Sequence, residues 1–477
     1  MTKTDGAIHV MNDKDIEEKI EQYLSVREEE KNKHGEVFTP IELINEMIVN
    51  LPPNVWSNPN LKWLDPANGI GNFPMVIFQR LMKGLEKWEP SETKRSKHII
   101  ENMLYMIEIN PKNVKISRKI FGSNAHICCA NFLTNSEKCF KEFGTDNFDI
   151  IIGNPPFQDE KSGETAQGGH DIYPNFFIKS FELLNNDGYL SFINPAKWRA
   201  PDKKGELKRM WDIFVNNNPI FLKIYGLDKT RQIFRGGAAT RIDYYVLQKN
   251  TKHKSTVIID EENKEHNINL RDWAFLPNYD IDTIQKILTD ENTGISVIYS
   301  SSQYDKRKPY MSIKEKGSYV YPVLHSHTIK DGDIFYWSKT KDSTGKSFVP
   351  MFGVSKVILI KGLYPYPYND YKGKYGMSNY SFGIPITSKK EGDNIVKAIN
   401  SEGFERLISA TKWSSGFTDH NMFKYFKPDF YKHFLKDEQA TKIQAITRGR
   451  QQRNKSKKQN TKKGGKHKTL KNKSTLH

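Results

Sequence analysis

One short stretch of the sequence has residue types that suit the recognition of a planar group bearing an amine. It is the tetrapeptide NPPF, Asn154 to Phe157, which follows the apolar run FDIIIG. Its two prolines cannot donate backbone hydrogen bonds and hold the chain extended, so the tetrapeptide cannot continue a strand or a helix. It therefore presents a carboxamide oxygen, a proline carbonyl and an aromatic face in one rigid row. The alternative is a proline-stiffened loop in which Phe157 is merely packed.

A second stretch, DPANGIGNF, lies between the apolar run LKWL and the helical pattern PMVIFQRL. Gly69 and Gly71 allow a sharp turn and a close approach of the backbone to a ligand, as in nucleotide-binding loops at the carboxyl end of a first strand. It contains neither a third glycine nor a G-K-[ST] sequence, so it is neither a dinucleotide fingerprint nor a phosphate loop. An ordinary tight turn remains the alternative to a nucleotide pocket.

Two further positions follow the next apolar runs. Glu108 ends MLYMIEI, where an acid can accept both hydroxyls of a ribose; a solvated carboxylate at a strand end is the alternative. Asn131 and Phe132 follow HICCA, where an amide can read the amino group of an adenine and an aromatic ring can cover it.

The elements that must position these residues alternate between strand and helix patterns. The short apolar runs bounded by Asn, Gly and Pro are typical of buried parallel strands: LKWLDP, MLYMIEI, HICCANFL, FDIIIGN and YLSFINP. Amphipathic helices separate them, and the first is TPIELINEMIVNL, for which Thr39 is the predicted N-cap. IFLKIYGL and ATRIDYYVLQK predict two closing strands. The pattern predicts a doubly wound α/β sheet, with the polar residues at one edge.

In this order, GEVFTP, DPANGIGNF, MIEIN, ANFL and NPPF resemble the motifs of S-adenosylmethionine-dependent N6-adenine DNA methyltransferases of type II restriction-modification systems. They resemble the gamma arrangement, in which the cofactor motifs come first, the catalytic motif next and the target-recognition domain last. The resemblance covers about residues 33 to 249 strongly and 255 to 435 in general character. It implies a Rossmann-like methyltransferase sheet followed by a mixed α+β target-recognition domain.

The resemblance also implies roles for individual residues in holding S-adenosylmethionine. Thr39 would hold the methionine end of the cofactor, Glu108 its ribose, and Asn131 with Phe132 its adenine; most family members have Asp in place of Asn131. The residues that shape the pocket and pack around it would be Asp65, Pro66, Ala67, Gly69, Gly71 and Phe73.

The implied reaction uses the NPPF tetrapeptide. Adenine N6 is a weak nucleophile because its lone pair is delocalised into the ring. The Asn154 oxygen and the Pro155 carbonyl would accept the two N6 hydrogens and stabilise the charge that develops on the nitrogen. Pro156 would keep the row rigid, and Phe157 would stack on a base flipped out of duplex DNA. This chemistry requires no strong base and no metal. The following loop, QDEKSGETAQGGHDIY, is interpreted either as a mobile cover for the base or as an exposed loop.

Charge is distributed unevenly along the 477 residues. The chain has 73 Lys and Arg against 56 Asp and Glu, and residues 441–477 contribute 13 of the cations and no acid. The predicted organisation is an N-terminal helix at 1–34, a catalytic domain at 35–250, a recognition domain at 255–435 and a disordered basic tail at 436–477.

Two basic segments predict partners for the chain. Residues 363–383 interleave tyrosines with lysines, which suits stacking and phosphate contact with duplex DNA, although such strands also occur as ordinary packing. The tail resembles the calmodulin-binding IQ motif at Ile443, Gln444, Arg448, Gly449 and Arg453. Attachment to nucleic acid is the favoured interpretation of the tail, and a calmodulin-like protein is the alternative.

Composition excludes several classes of protein. No apolar run approaches the roughly 18 residues of a spanning helix, and the polar first 30 residues lack a signal sequence, which argues against a membrane or secreted protein. Cys128, Cys129 and Cys139 are too few for a disulfide framework and are predicted to be packed thiols. We therefore expect an intracellular reducing compartment, either cytoplasm or nucleus.

Two other functions are compatible with the same motifs. One is an RNA or protein (glutamine) methyltransferase with the same NPP-aromatic site. The other is a catalytically silent DNA-binding specificity subunit. Any restriction endonuclease that acts with this chain is expected to be a separate protein.

Overall fold

A computed structural model of the chain describes residues 39–159, 170–201, 203–234, 240–252, 255–328, 330, 332–341, 349–413 and 418–436. The predicted N-terminal helix, the centre of the loop after NPPF, and the basic tail with its IQ-like segment lie outside these residues. Among the helices that are described, none has the length and apolarity needed to cross a bilayer.

The centre of the first compact unit is a parallel sheet. Its strands are β1 (Trp63–Asp65), β2 (Leu104–Glu108), β3 (His126–Cys129), β4 (Phe148–Gly153) and β5 (Leu184–Pro195). They lie in the order β3-β2-β1-β4-β5, and each neighbouring pair is parallel. The carboxyl ends of these strands therefore meet at one edge of the sheet, as the sequence predicts.

Four more strands extend this sheet beyond β5. They are β6 (Asn218–Tyr225), β7 (Ile242–Gln248), β8 (Thr256–Ile259) and β9 (Glu265–Ile268). The order continues β5-β7-β6-β8-β9, and β7 is antiparallel to both of its neighbours. The predicted α/β class is confirmed, in the form of a mixed nine-stranded sheet.

The helices of this unit pack amphipathic faces against the sheet. They are α1 (Ile41–Ile48), α2 (Asn72–Gly84), α3 (Glu92–His98), α4 (Pro111–Phe121), α5 (Phe132–Asn135), α6 (Glu137–Phe143), α7 (Tyr173–Leu183), α8 (Gly205–Asn216) and α9 (Leu227–Ile233). Helix α1 begins one residue later than predicted, because Pro40 and not Thr39 is its N-cap. Thr39 is consequently available for contacts outside the helix.

The first compact unit ends later than the predicted boundary near residue 250. It continues to Ile281 and also includes a short later segment that begins at Thr411. One reason is that β8 and β9 belong to the same sheet. Another is the fully buried Arg199, which pairs with Asp243 and donates to the backbone oxygen of Leu276 at 2.9 Å. The predicted limits of 35–250 and 255–435 therefore need correction at this junction.

The second compact unit has a mixed α+β structure. Its strands are β10 (Met311–Ser312), β11 (Tyr321–Thr328), β12 (Gly332–Ser338), β13 (Lys356–Ile360), β14 (Tyr366–Asp370), β15 (Gly376–Met377) and β16 (Ser381–Pro385). One sheet has the strand order β10-β12-β11-β15, and the other has the antiparallel order β14-β13-β16. The helices are α10 (Ile281–Ile287), α11 (Lys389–Ile399) and α12 (Glu402–Ala410).

The cysteines differ from the predicted state. Cys128 on β3 and Cys139 on α6 form a disulfide, with their Cα atoms 5.5 Å apart. The prediction of three packed thiols was wrong for this pair, because α6 returns over β3 and brings the two residues within bonding range. Cys129 is a free cysteine.

Candidate active site

The glycine loop after β1 is tied to the end of β2. The backbone N–H of Asn68 donates to the oxygen of Ile107 at 3.0 Å, and that of Gly69 donates to Glu108 Oε2 at 2.7 Å. Glu108 Oε1 accepts from the N–H of Asn110 at 2.7 Å. Buried Glu108 therefore bridges the loop and the turn that follows its own strand.

The two glycines adopt backbone conformations that favour glycine. Gly69 has a φ of 57° and Gly71 a φ of 102°, and Gly71 is the N-cap of α2. A Cβ atom at Gly71 would also lie 2.8 Å from the ring of Phe121. The sharp turn predicted from DPANGIGNF is therefore present.

Asp65 is a buried acid at the end of β1. Its Oδ1 accepts from the N–H of Ala67 at 3.1 Å, whereas its Oδ2 has no hydrogen-bond partner among the described residues. Burial raises the pKa of Asp65 to about 8; the N–H of Ala67 opposes this change and the nearby charge of Glu108 adds to it. A Cβ atom at Gly153 would lie 2.8 Å from Asp65 Oδ1, so the end of β4 closes against this carboxyl.

The NPPF tetrapeptide begins directly after β4. Asn154 Nδ2 donates to Thr39 Oγ1 at 3.1 Å, and Asn154 Oδ1 is a buried atom without a partner among the described residues. The backbone oxygen of Thr39 accepts from Asn72 Nδ2 at 2.9 Å. These bonds bring the tetrapeptide, the segment before α1 and the start of α2 together at the edge where β1 and β4 end.

The rest of the tetrapeptide combines buried and exposed groups. Pro155 is buried, Pro156 is exposed, and Phe157 is half-buried against the core. The oxygen of Phe157 accepts from the N–H of Ile172 at 3.0 Å, which pairs the two ends of the loop that follows. Phe157 is thus packed on one side without being enclosed.

The two residues predicted to contact the adenine of the cofactor make contacts within the protein. Asn131 Oδ1 caps α5, accepting from the N–H groups of Leu133 at 2.9 Å and Thr134 at 3.2 Å. Phe132 is 2% exposed and stacks on Phe176 with ring centroids 5.4 Å apart. This differs from the predicted roles, because the oxygen already accepts two bonds and the ring is covered.

The other predicted cofactor residues support the glycine loop. Pro66 is buried and Ala67 half-buried beside Asp65, and buried Phe73 on α2 belongs to the hydrophobic core. Asn68 Nδ2 donates to Ser117 Oγ at 2.8 Å, which attaches the loop to α4.

A sequence profile of the Eco57I restriction-modification methylase family matches residues 80–234. An uncharacterised adenine-specific methylase of Mycoplasma pneumoniae is 30% identical in an alignment 302 positions long, which covers 47% of this chain and 69% of that protein. The chain belongs to the Eco57I methylase family. The resemblance found in the sequence motifs is therefore confirmed at the level of the family, while their gamma order stays a prediction.

Other similar proteins match different shares of this family member. The modification methylase CviBIII of Paramecium bursaria Chlorella virus NC1A is 26% identical in an alignment 195 positions long, which covers 37% of this chain and 44% of that protein. Among solved structures, a nuclease-deletion mutant of the Type ISP restriction-modification enzyme LlaGI in complex with a DNA substrate mimic has a TM-score of 0.50 at 12% identity. The match covers 88% of this chain and 56% of LlaGI, and it shows a common fold.

One candidate residue of this methylase was missed in the sequence. Ile109 directly follows Glu108 and is 63% exposed. Its neighbour on the next strand is Cys129, whose Sγ lies 3.8 Å from the oxygen of Ile109 and which pairs in register with Glu108. A large apolar side chain kept in solvent at this edge suits contact with a flat ring. The sequence feature that could have identified Ile109 is its position as an apolar residue immediately after the acid that ends β2.

Proposed function

We propose that this methylase transfers a methyl group from S-adenosylmethionine to N6 of an adenine flipped out of duplex DNA. The observation that carries the proposal is the Asn154 carboxamide. Its nitrogen is anchored on Thr39, and its oxygen is buried without a partner among the described residues. A buried acceptor without a donor is unfavourable unless a ligand supplies the donor, and an exocyclic amine does so.

The residues at the neighbouring strand ends fit S-adenosylmethionine, which supplies an electrophilic methyl group on a positively charged sulfur. Asp65 Oδ2 is buried and without a partner among the described residues, and a cationic ligand beside it would lower its raised pKa and favour the ionised carboxylate. Both oxygens of Glu108 accept backbone N–H groups, and a carboxylate can accept several hydrogen bonds, so a ribose hydroxyl could donate to it as well. Ile109 would cover one face of the cofactor's adenine.

Methyl transfer requires the N6 lone pair to be localised and aimed. Asn154 Oδ1 and the Pro155 carbonyl would each accept one N6 hydrogen, favouring a tetrahedral nitrogen and stabilising its developing positive charge. Because these acceptors follow β4 and the glycine loop follows the adjacent β1, the amine is held beside the methyl donor. The carbonyl acceptors take the place of a strong base.

An adenine inside a duplex cannot reach these acceptors. Base flipping costs a few kcal/mol, and stacking on Phe157 would recover roughly 1 to 3 kcal/mol of it. Phe157 is half-buried, so one part of its ring packs on the core while the rest can receive a base. Pro156 would keep its neighbours at fixed distances.

The second compact unit would act as the DNA-recognition domain. Residues 306–390 contain 15 Lys and Arg against 5 Asp and Glu, which favours a polyanionic partner. Large side chains in this region are exposed, namely Leu363, Tyr364, Tyr366, Tyr371 and Tyr380. We assign the basic tail to additional nucleic-acid attachment.

The test is methyl transfer from tritiated S-adenosylmethionine to duplex DNA, RNA and protein in parallel. We expect label in duplex DNA, recovered as N6-methyl-2′-deoxyadenosine after digestion. Label only in RNA or in protein glutamine would replace the proposal with the corresponding methyltransferase. Failure to bind S-adenosylmethionine in isothermal titration would identify the chain as a silent specificity subunit.

A further inference from the structure

A chain of three polar side chains connects the catalytic tetrapeptide to the glycine loop. Asn72 Nδ2 donates to the backbone oxygen of Thr39 at 2.9 Å, and Thr39 Oγ1 accepts from Asn154 Nδ2 at 3.1 Å. Thr39 is 5% exposed and Asn72 is 6% exposed. The three residues come from the segment before α1, the first turn of α2 and the end of β4, so only the tertiary structure joins them.

The orientation of the Asn154 carboxamide decides what it can bind. A carboxamide has one accepting and one donating end, and rotation by half a turn exchanges them. With the nitrogen on Thr39, the oxygen is the end left to accept from an amine. In the rotated state the Thr39 hydroxyl would donate to the carboxamide oxygen, the Asn154 NH₂ would face the N6 amine, and the N6 hydrogen would lose its acceptor.

We propose that Thr39 is a positioning residue for methyl transfer, which anchors the Asn154 carboxamide beside the target amine, and that Asn72 holds Thr39 in place. The inference rests on the proposed function. It changes the role that the sequence predicts for Thr39, which is contact with the methionine end of the cofactor. In the structure the Thr39 hydroxyl accepts from the tetrapeptide instead.

The two roles have different kinetic consequences. A cofactor ligand contributes to binding S-adenosylmethionine, so its loss raises the dissociation constant. A residue that orients Asn154 acts on the bound adenine in the transition state, so its loss lowers the single-turnover rate and leaves cofactor affinity almost unchanged.

The experiment uses three variants of the full-length chain and mixed-sequence unmethylated duplex DNA. Thr39→Val keeps the shape of the side chain but removes the hydroxyl, and Thr39→Ser restores it. Thr93→Val makes the same change at an exposed threonine of α3 and is the matched control. Single-turnover methylation gives the rate, and isothermal titration with S-adenosylmethionine gives the affinity.

We expect Thr39→Val to lower the single-turnover rate about tenfold or more, with the cofactor dissociation constant within twofold of the wild type. Thr39→Ser should recover the rate to within about threefold, and Thr93→Val should match the wild type. Thr39→Ala provides a second hydroxyl deletion if valine prevents folding.

Three results would overturn the inference. The first is an unchanged rate in Thr39→Val. The second is a raised dissociation constant with an unchanged rate at saturating cofactor, which would make Thr39 a cofactor ligand. The third is unfolding of both the valine and alanine variants, which would make the contact structural. If the wild-type chain does not methylate DNA adenine, the proposed function itself fails.

Discussion

Glu108 Oε2 accepts a 2.7 Å hydrogen bond from the backbone N–H of Gly69, which joins the loop after β1 to the end of β2. The two residues are 39 positions apart in the chain. A single carboxylate therefore fixes the shape of the glycine loop and is also the group proposed to receive the ribose of the cofactor.

Glu108→Gln should weaken cofactor binding about tenfold or more. The amide keeps one acceptor, but its NH₂ end faces one of the two N–H groups that the carboxylate now binds, so the loop loses a charge-assisted bond. Isothermal titration with S-adenosylmethionine measures the effect. Glu137→Gln, at a largely exposed acid, is the control. Unchanged affinity in Glu108→Gln would remove Glu108 from the cofactor site.

Asn154→Ala should lower methyl transfer by about 100-fold or more, because it removes an acceptor whose bond strengthens as charge develops on N6. Cofactor affinity should stay within a few-fold of the wild type. Asn154→Asp keeps two accepting oxygens and should retain more activity than the alanine variant. Equal losses of cofactor binding and methyl transfer in Asn154→Ala would contradict the assigned role.

Asp65→Asn should change how stability depends on pH. Burial raises the pKa of Asp65 from 3.8 to about 8, so the folded state binds a proton that the unfolded state releases between these values. This contribution makes the free energy of unfolding fall as pH rises from about 4 to about 8, after which it is constant. Asparagine cannot ionise, so the variant should gain stability relative to the wild type across this window.

Thermal unfolding at pH 5 and pH 9 measures this change. Asp146→Asn, at an exposed acid, is the control. If the difference in unfolding temperature between Asp65→Asn and the wild type is the same at pH 5 and at pH 9, Asp65 does not titrate in this way.

Ile109→Ser should weaken S-adenosylmethionine binding several-fold while changing the free energy of unfolding by no more than about 0.5 kcal/mol, because the side chain is already 63% exposed. Val49→Ser is a matched control at an apolar residue that is 60% exposed. Cofactor affinity in that control should equal the wild type. Equal affinity in both variants would show that Ile109 does not touch the cofactor.

Replacing Lys372 and Lys374 together by Gln should reduce the salt dependence of DNA binding. Both lysines are exposed in the basic segment. If each contacts a phosphate, the slope of log K against log salt should become shallower by about 2. The same double change at Lys83 and Lys87, which are exposed in the first unit, is the control. An identical slope in the two double variants would exclude residues 363–383 from the DNA interface.

The sequence by itself determined which segments form the strands of the first sheet and where the loops with polar residues follow them. Short apolar runs ending in polar or glycine residues predict parallel strands, and carboxyl ends of neighbouring parallel strands meet at one edge. Asp65, Glu108 and Asn154 were found this way, since each lies at or directly after the end of a strand. Local backbone chemistry also determined the loops, through the prolines of NPPF and the glycines of DPANGIGNF.

Tertiary structure alone decided which partners these residues have. The Thr39 to Asn154 bond spans 115 positions, and no local pattern encodes a contact of that range. The cap formed by Asn131, the Cys128–Cys139 disulfide and the attachment of residues near Leu276 to Arg199 likewise depend on how elements pack. Spacing determines where a side chain enters the fold, whereas burial and the neighbours brought by packing determine which of its atoms remain for a ligand.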